Sequence, residues 1–181
     1  MFNCNMHYYK IPTSFYFIND FKKNNIDKLN TNTGVIYRNY NRKLNINKII
    51  EVKKYCKSKR LKFYISNNFK IAMKLDLDGV YIPSFNKSLK HLNHRTKSMF
   101  LIMGSAHNIK EIRQKETQKV SIIFLSSVFK KNKNYLGMYK FKLLRKLTSK
   151  KVIALGGITK KNKKKIKLLN CFGFSGISYF E

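Results

Sequence analysis

Residues 152–165 read VIALGGITKKNKKK. The stretch begins as an apolar strand, turns on Gly156 and Gly157, and runs into a helix start crowded with lysines. This strand–turn–helix order is one βα unit. A Gly-Gly turn lets backbone amides approach a phosphate, and the helix behind it offers free N–H groups and a positive dipole end. The competing reading is a tight turn with Thr159 as helix N-cap. A third is a basic nucleic-acid segment that happens to follow a strand.

The rest of the chain repeats the unit. FYFIND (15–20), GVIYRNY (34–40), LKFYIS (61–66), DGVYI (78–82), MFLIMG (99–104), VSIIFLSSVF (120–129), KVIAL (151–155) and GFSGIS (173–178) read as strands. Runs of β-branched and aromatic residues carry that reading. Between them, 45–58, 109–116, 138–147 and 160–170 have helical spacing or helix-forming composition, with shorter helix-like pieces elsewhere. Strand–helix alternation predicts parallel crossovers, and eight such units close into a (β/α)8 TIM barrel. A doubly wound sheet would carry GxGxxG at its first turn, and no such motif occurs. No linker marks a second domain, so residues 1–181 read as a single barrel domain. The barrel is short and lacks the final helix. We therefore expect the outer face of the last strand to be covered by the N-terminal segment Phe2 to Ile11, or by a partner subunit in a homo-oligomer.

The net charge of +31 raises nucleic acid as a partner, but its composition argues otherwise. Lysines outnumber arginines 33 to 6, with 20 asparagines and 19 isoleucines, as an AT-rich coding sequence would supply. Arginine is the residue favoured for base and phosphate recognition, and the lysines are spread along the whole chain. The charge thus predicts only non-specific adhesion to polyanions at low salt. No apolar run reaches the roughly 18 residues of a membrane span. Cys4, Cys56 and Cys171 form no CxxC pair, and we expect reduced thiols in a cytoplasmic protein.

Barrel chemistry sits at the C-terminal strand ends. Here those ends carry Asn19, Asp20, Arg38, Tyr40, Ser66, Asn67, Asn68, Tyr81, Ser84, Ser105, His107, Ser126, Ser127, Gly156, Gly157 and Ser178. The set is polar and cationic, short of carboxylates, and suits an anionic ligand. The loop 126–134, with Lys131 and Lys133, is either a second cationic arm or a mobile, solvated connection. Ser105 and His107 show no acidic partner for a triad. His91 and His94 read as a solvated pair, since zinc needs further ligands. Cys56 reads as a packing residue on its helix.

The pieces FYISNNFKIAMKLDLDGVYI, IMGSAHNIKE, SSVF, VIALGGIT and GFSGIS, in this order and spacing, resemble the thiamine phosphate synthase/TenI family over about residues 15–180. The resemblance implies an enzyme that joins a pyrophosphorylated aminopyrimidine to a phosphorylated thiazole, releasing pyrophosphate, with Mg²⁺ as cofactor. It implies that Arg38 grips pyrophosphate and Ser105 is catalytic. It further implies that Gly156, Gly157 and Ser178 hold the thiazole phosphate, with Lys131 and Lys133 standing where the family has a T-x-T-K loop. The family's metal-binding aspartates fall at Asn67 and Asn86. Its QLREK glutamine and lysine fall at Ile36 and Tyr40. These departures imply a second possibility, a catalytically degenerate member that only binds a phosphorylated ligand or partner. The thiazole tautomerase branch would place its catalytic histidine at Ser127, leaving His107 as the nearby base.

Overall fold

A computed structural model describes residues 11–40 and 44–181. Eight parallel strands close on themselves in chain order: β1 (Ser14–Ile18), β2 (Thr33–Tyr37), β3 (Lys62–Ser66), β4 (Gly79–Ile82), β5 (Leu101–Ala106), β6 (Ile122–Leu125), β7 (Lys151–Leu155) and β8 (Gly173–Ser175). The intervening α-helices are α1 (Lys23–Asp27), α2 (Ile46–Ser58), α3 (Phe69–Lys74), α4 (Ile109–Thr117) and α5 (Gly137–Lys146). The predicted TIM barrel is the observed fold.

Strand alternation sorts the apolar residues into two cores. Phe15, Phe17, Ile36, Tyr64, Tyr81, Met103, Phe124 and Ile153 fill the barrel interior. Their intervening neighbours, among them Tyr16, Val35, Phe63, Ile65, Val80, Ile123 and Val152, pack outward against Ile49 and Val52 of α2, Ile112 of α4 and Phe141 of α5. Aromatic edges meet at the axis: Phe17–Tyr81 at 5.0 Å, Phe15–Phe124 at 5.1 Å and Tyr81–Phe124 at 5.2 Å between ring centroids. Each such pair contributes roughly 0.5–1.5 kcal/mol beyond its buried area. Asparagine, abundant in the composition, also starts helices. Asn45, Asn68 and Asn108 accept the Lys48, Ile71 and Glu111 backbone N–H and cap α2, α3 and α4.

Several local expectations are corrected. The lysine-rich segment expected as a helix over 160–170 is a turn followed by a 3-10 helix, Lys163–Leu169, ending on left-handed Asn170. The cause is local: Asn162 Oδ1 accepts the Thr159 N–H and its Nδ2 donates to the Gly157 carbonyl, so side-chain bonds replace a first α-turn. The fifth strand runs two residues further than expected, which places Ser105 inside it and, by alternation, facing the barrel interior. The last strand is shorter, leaving Ser178 exposed in the turn beyond it.

The outer face of β8 is also covered differently. Phe174 meets Tyr179 at 4.8 Å, and Tyr16 of β1 meets Phe180 at 5.2 Å. Tyr16 donates its hydroxyl to Glu181 at 3.1 Å, and Lys163 Nζ lies 4.9 Å from the Tyr179 ring centroid. An aromatic turn thus packs on the outer face of β8 and β1. Of the segment expected to cover this face, Ile11 packs against the barrel interior instead, and residues 2–10, with Cys4, lie outside the described residues. Among the described residues no helix is long and apolar enough to cross a membrane.

Cys56 sits fully buried on the inner face of α2, and burial pushes its thiol pKa up to about 12. A native protein at pH 8 should therefore leave Cys56 untouched by an aromatic disulfide reagent, and denaturant should expose it. The folded pKa lies above the ordinary value of 9.0, so this thiol's contribution is present below pH 9 and is lost as pH rises toward 12.

Candidate active site at the barrel mouth

All eight strand C-termini open on one rim, and the loops after β2, β3, β4 and β5 form its most connected sector. Arg38 follows β2, its backbone N–H bonded to the Ile18 carbonyl at 2.8 Å. Its guanidinium lies over the Phe17 ring at 5.3 Å and donates to Asn19 at 3.4 Å. The Tyr40 hydroxyl bonds the Ser66 hydroxyl at 2.7 Å, and its ring meets the exposed Phe85 edge-on at 5.5 Å. Burial raises the Tyr40 pKa, and that of Tyr81 well above the usual phenol range. Tyr81 and the buried Ser105 both face the barrel interior beneath this cluster. At neutral pH both phenols are protonated, so Arg38 supplies the fixed charge of this cluster.

Positions 67 and 86 converge here. Asn67 adopts a left-handed conformation, φ 58°, and its Oδ1 accepts a 2.7 Å bond from Asn86 Nδ2. Asn86 is held from behind by Lys115 of α4. This side chain is fully buried and donates to the carbonyls of Pro83 and Asn86 at 2.8 and 2.9 Å and to Gln118 Oε1 at 2.7 Å. Burial lowers its pKa to about 8, with Glu111 acting in the opposite sense.

This geometry tests the magnesium implied by the resemblance. Mg²⁺ is held chiefly by carboxylate oxygens and water in octahedral geometry. The two side chains that meet are neutral carboxamides, and each already uses a polar atom on the other. Among the described residues no group of three or more His, Cys, Asp or Glu converges on a possible metal position. The donor set does not fit the ion.

The opposite sector is built from the Gly156–Gly157 turn and the loop 126–136. Both glycines have positive φ, 102° and 74°. The Gly156 carbonyl accepts the N–H groups of Phe129 and Lys130 at 2.9 and 3.3 Å, and Leu155 O accepts that of Val128 at 3.0 Å. Ser127 bonds across the loop to Asn134 and Leu136 through its backbone, both at 2.8 Å. The base of this loop is therefore pinned to the turn, not a loose connection. Lys131 and Lys133 project from it, exposed. Topology puts Ser178 on the same rim, exposed and beyond the end of β8.

The histidines resolve locally. His107 Nδ1 bonds Glu111 Oε2 at 2.8 Å, an acidic partner the sequence reading did not identify, and that carboxylate also accepts the His107 backbone N–H. Ser105 is buried within β5. His91 is buried, bonded through Nε2 to the Gln118 carbonyl at 2.9 Å, so the expected solvated pair is half wrong. His94 is exposed, and both rings lie against Phe69. Lys115 and Phe85 escaped the sequence reading. The signal for Lys115 was its i+3 spacing from Ile112 on the apolar stripe of α4.

Comparison with known proteins gives the frame for these positions. Residues 29–180 match the family model described as thiamine monophosphate synthase. A thiamine-phosphate synthase of Prochlorococcus marinus is 30% identical over 135 residues, covering 72% of this chain and 38% of that protein. A putative thiamine-phosphate synthase 2 of Aquifex aeolicus is 29% identical over 136 residues, covering 72% of each. A thiamine phosphate pyrophosphorylase from Pyrococcus furiosus superposes with a TM-score of 0.75 at 16% identity, over 93% of this chain and 86% of that one, and supports the fold. On the family match across residues 29–180, the chain belongs to the thiamine monophosphate synthase family.

Proposed function

We propose that the chain condenses a pyrophosphorylated hydroxymethyl-aminopyrimidine with a thiazole phosphate to give thiamine phosphate and pyrophosphate. The observation that carries this reading is the family match over residues 29–180, with Arg38 and the Gly156–Gly157 turn on one rim of the barrel. In the reaction the bond between the pyrimidine methylene and the pyrophosphate oxygen breaks, and its electron pair leaves with pyrophosphate. The thiazole nitrogen donates its lone pair to the methylene carbon, forming the new C–N bond.

Each side chain then has a task. Arg38 meets the charge that develops on pyrophosphate as a fixed cation at the barrel mouth. Ser105 offers a hydroxyl to the pyrimidine side. The Gly156–Gly157 turn, Lys131, Lys133 and Ser178 receive the thiazole phosphate. Holding both ligands in attack geometry supplies the rest of the rate. With carboxamides at 67 and 86, no step is assigned to Mg²⁺.

The same pair of carboxamides favours a second reading, a family member that binds a phosphorylated ligand and does not turn it over. Binding and turnover separate the two. By calorimetry inorganic pyrophosphate should bind the wild type, and Arg38→Ala should weaken it about tenfold or more, as loss of a charge-assisted bond does. Undiminished affinity in Arg38→Ala would remove Arg38 from the site.

A further inference from the structure

A buried ammonium with no carboxylate in hydrogen-bond contact is costly, because desolvation takes several kcal/mol that an apolar residue of similar size would not lose. Lys115 is such a group, and its surroundings show what the cost supports. An ammonium carries three donors, and here each has an oxygen: Pro83 O, Asn86 O and Gln118 Oε1, at 2.7–2.9 Å. Gln118, itself fully buried, returns two bonds to the same loop, from Nε2 to Asn86 O at 3.0 Å and to Ser88 O at 2.9 Å. Its backbone carbonyl takes His91 Nε2 at the far end. The connection between β4 and β5 thus hangs, from Pro83 to His91, on the Lys115 and Gln118 side chains and the Gln118 carbonyl, with a longer bond from Gln114 to the Lys87 carbonyl at 3.5 Å. The front of that connection carries Asn86, bonded to Asn67, and Phe85, packed on Tyr40.

We propose that Lys115 is a positioning residue, whose ammonium fixes the Pro83–Asn86 backbone so that Asn86 and Phe85 stand at the barrel mouth. Its importance for ligand binding rests on the reading of that mouth as the pyrophosphate site. Lys115 touches no ligand itself and acts through Asn86. A purely packing role would need volume at this position, whereas the positioning role needs three donors aimed at three oxygens.

Lys115→Ala distinguishes these needs, because it removes a propylammonium-sized piece that can be added back. At pH 7, backbone hydrogen exchange over residues 83–91 should accelerate about tenfold or more, as loss of bonds to a charged group implies, while the rest of the barrel keeps its protection. Pyrophosphate affinity should fall with it. n-Propylammonium should restore both, and 1-propanol, of similar size but uncharged, should restore neither. Unchanged protection in Lys115→Ala, or equal rescue by propanol, would overturn the proposal. If Lys115→Ala does not fold, Lys115→Met keeps the volume without donors and should show the same local loss; full protection there would overturn the proposal equally. A wild type that binds no pyrophosphate would sink the proposed function alone, since the exchange pattern still decides the role of Lys115.

Discussion

Gly156→Ala should destabilise the protein by about 3 kcal/mol, among the largest effects of any single methyl added to this chain. Two costs add. At φ 102° an L side chain is strained, and the new Cβ would fall on Ser127, 2.8 Å from its Cα and in hard contact with its Oγ. The obstacle includes backbone, so a rotamer change cannot relieve it. Segment 127–130 would have to lift away, breaking the bonds from Phe129 and Lys130 to the Gly156 carbonyl. For a chain of this size 3 kcal/mol corresponds to a fall in Tm of roughly 6–12 °C. Gly176→Ala is the control. Its Cβ would meet Ile158 O at 3.2 Å and Tyr179 Cβ at 3.4 Å, a tight fit without positive φ, and the loss should be much smaller. Thermal denaturation of the two variants checks both figures. Equal Tm values would mean that the turn and loop are not packed as described.

The second large effect concerns magnesium. Asn67→Asp with Asn86→Asp places two carboxylates where carboxamides now meet at 2.7 Å. Without a cation they repel, and one pKa rises above its unfolded value. A carboxyl with a raised folded pKa loses stability as pH climbs through the carboxylate range, so the double variant in chelator should be less stable at pH 7 than at pH 5. Mg²⁺ should reverse this, by about 2.7 kcal/mol at a hundred times its dissociation constant, while the wild type should show no comparable shift. The single variants differ in an informative way. In Asn67→Asp the new carboxylate would keep the bond from Asn86 Nδ2, now charge-assisted, so this change should be well tolerated. In Asn86→Asp the new carboxylate would face the Asn67 oxygen, so Asn67 must turn its amide over and the change should cost more. A magnesium-independent Tm in the double variant would show that these positions do not form an ion site even with the right donors.

The barrel was legible because every strand is a short β-rich run and its companion helix, where present, is apolar on one face. VIALGGIT alone contains a complete strand and its turn, and β7 with Gly156 and Gly157 stands where those residues predicted. Positions after strands were legible for the same reason: parallel closure puts Arg38, Asn67, Asn86 and Gly156 on one rim whatever the side chains do. Side-chain bonds between distant loops were not legible. The Asn67–Asn86 contact depends on a left-handed residue 67 and on the loop behind residue 86 being held by Lys115, and none of this has a local signature. Lysine bias in the composition hid Lys115, since a lysine in a chain with 33 of them looks like the rest. The lysine run 160–165 misled in the other direction. Its helical propensity was overridden by Asn162, whose short side chain bonds the turn on both sides. Covering of Phe174 on β8 by Tyr179 and Phe180 was missed because aromatics in so short a stretch show no periodicity.

Incubation of the purified protein with the pyrophosphorylated pyrimidine and thiazole phosphate, with and without Mg²⁺, tests the central claim most directly. Thiamine phosphate and pyrophosphate should form in equal amounts. The rate should fall in Arg38→Ala and respond weakly to Mg²⁺ in the wild type. Absence of thiamine phosphate at high protein concentration, with pyrophosphate still bound, would contradict the enzyme and leave the non-catalytic binding protein in its place.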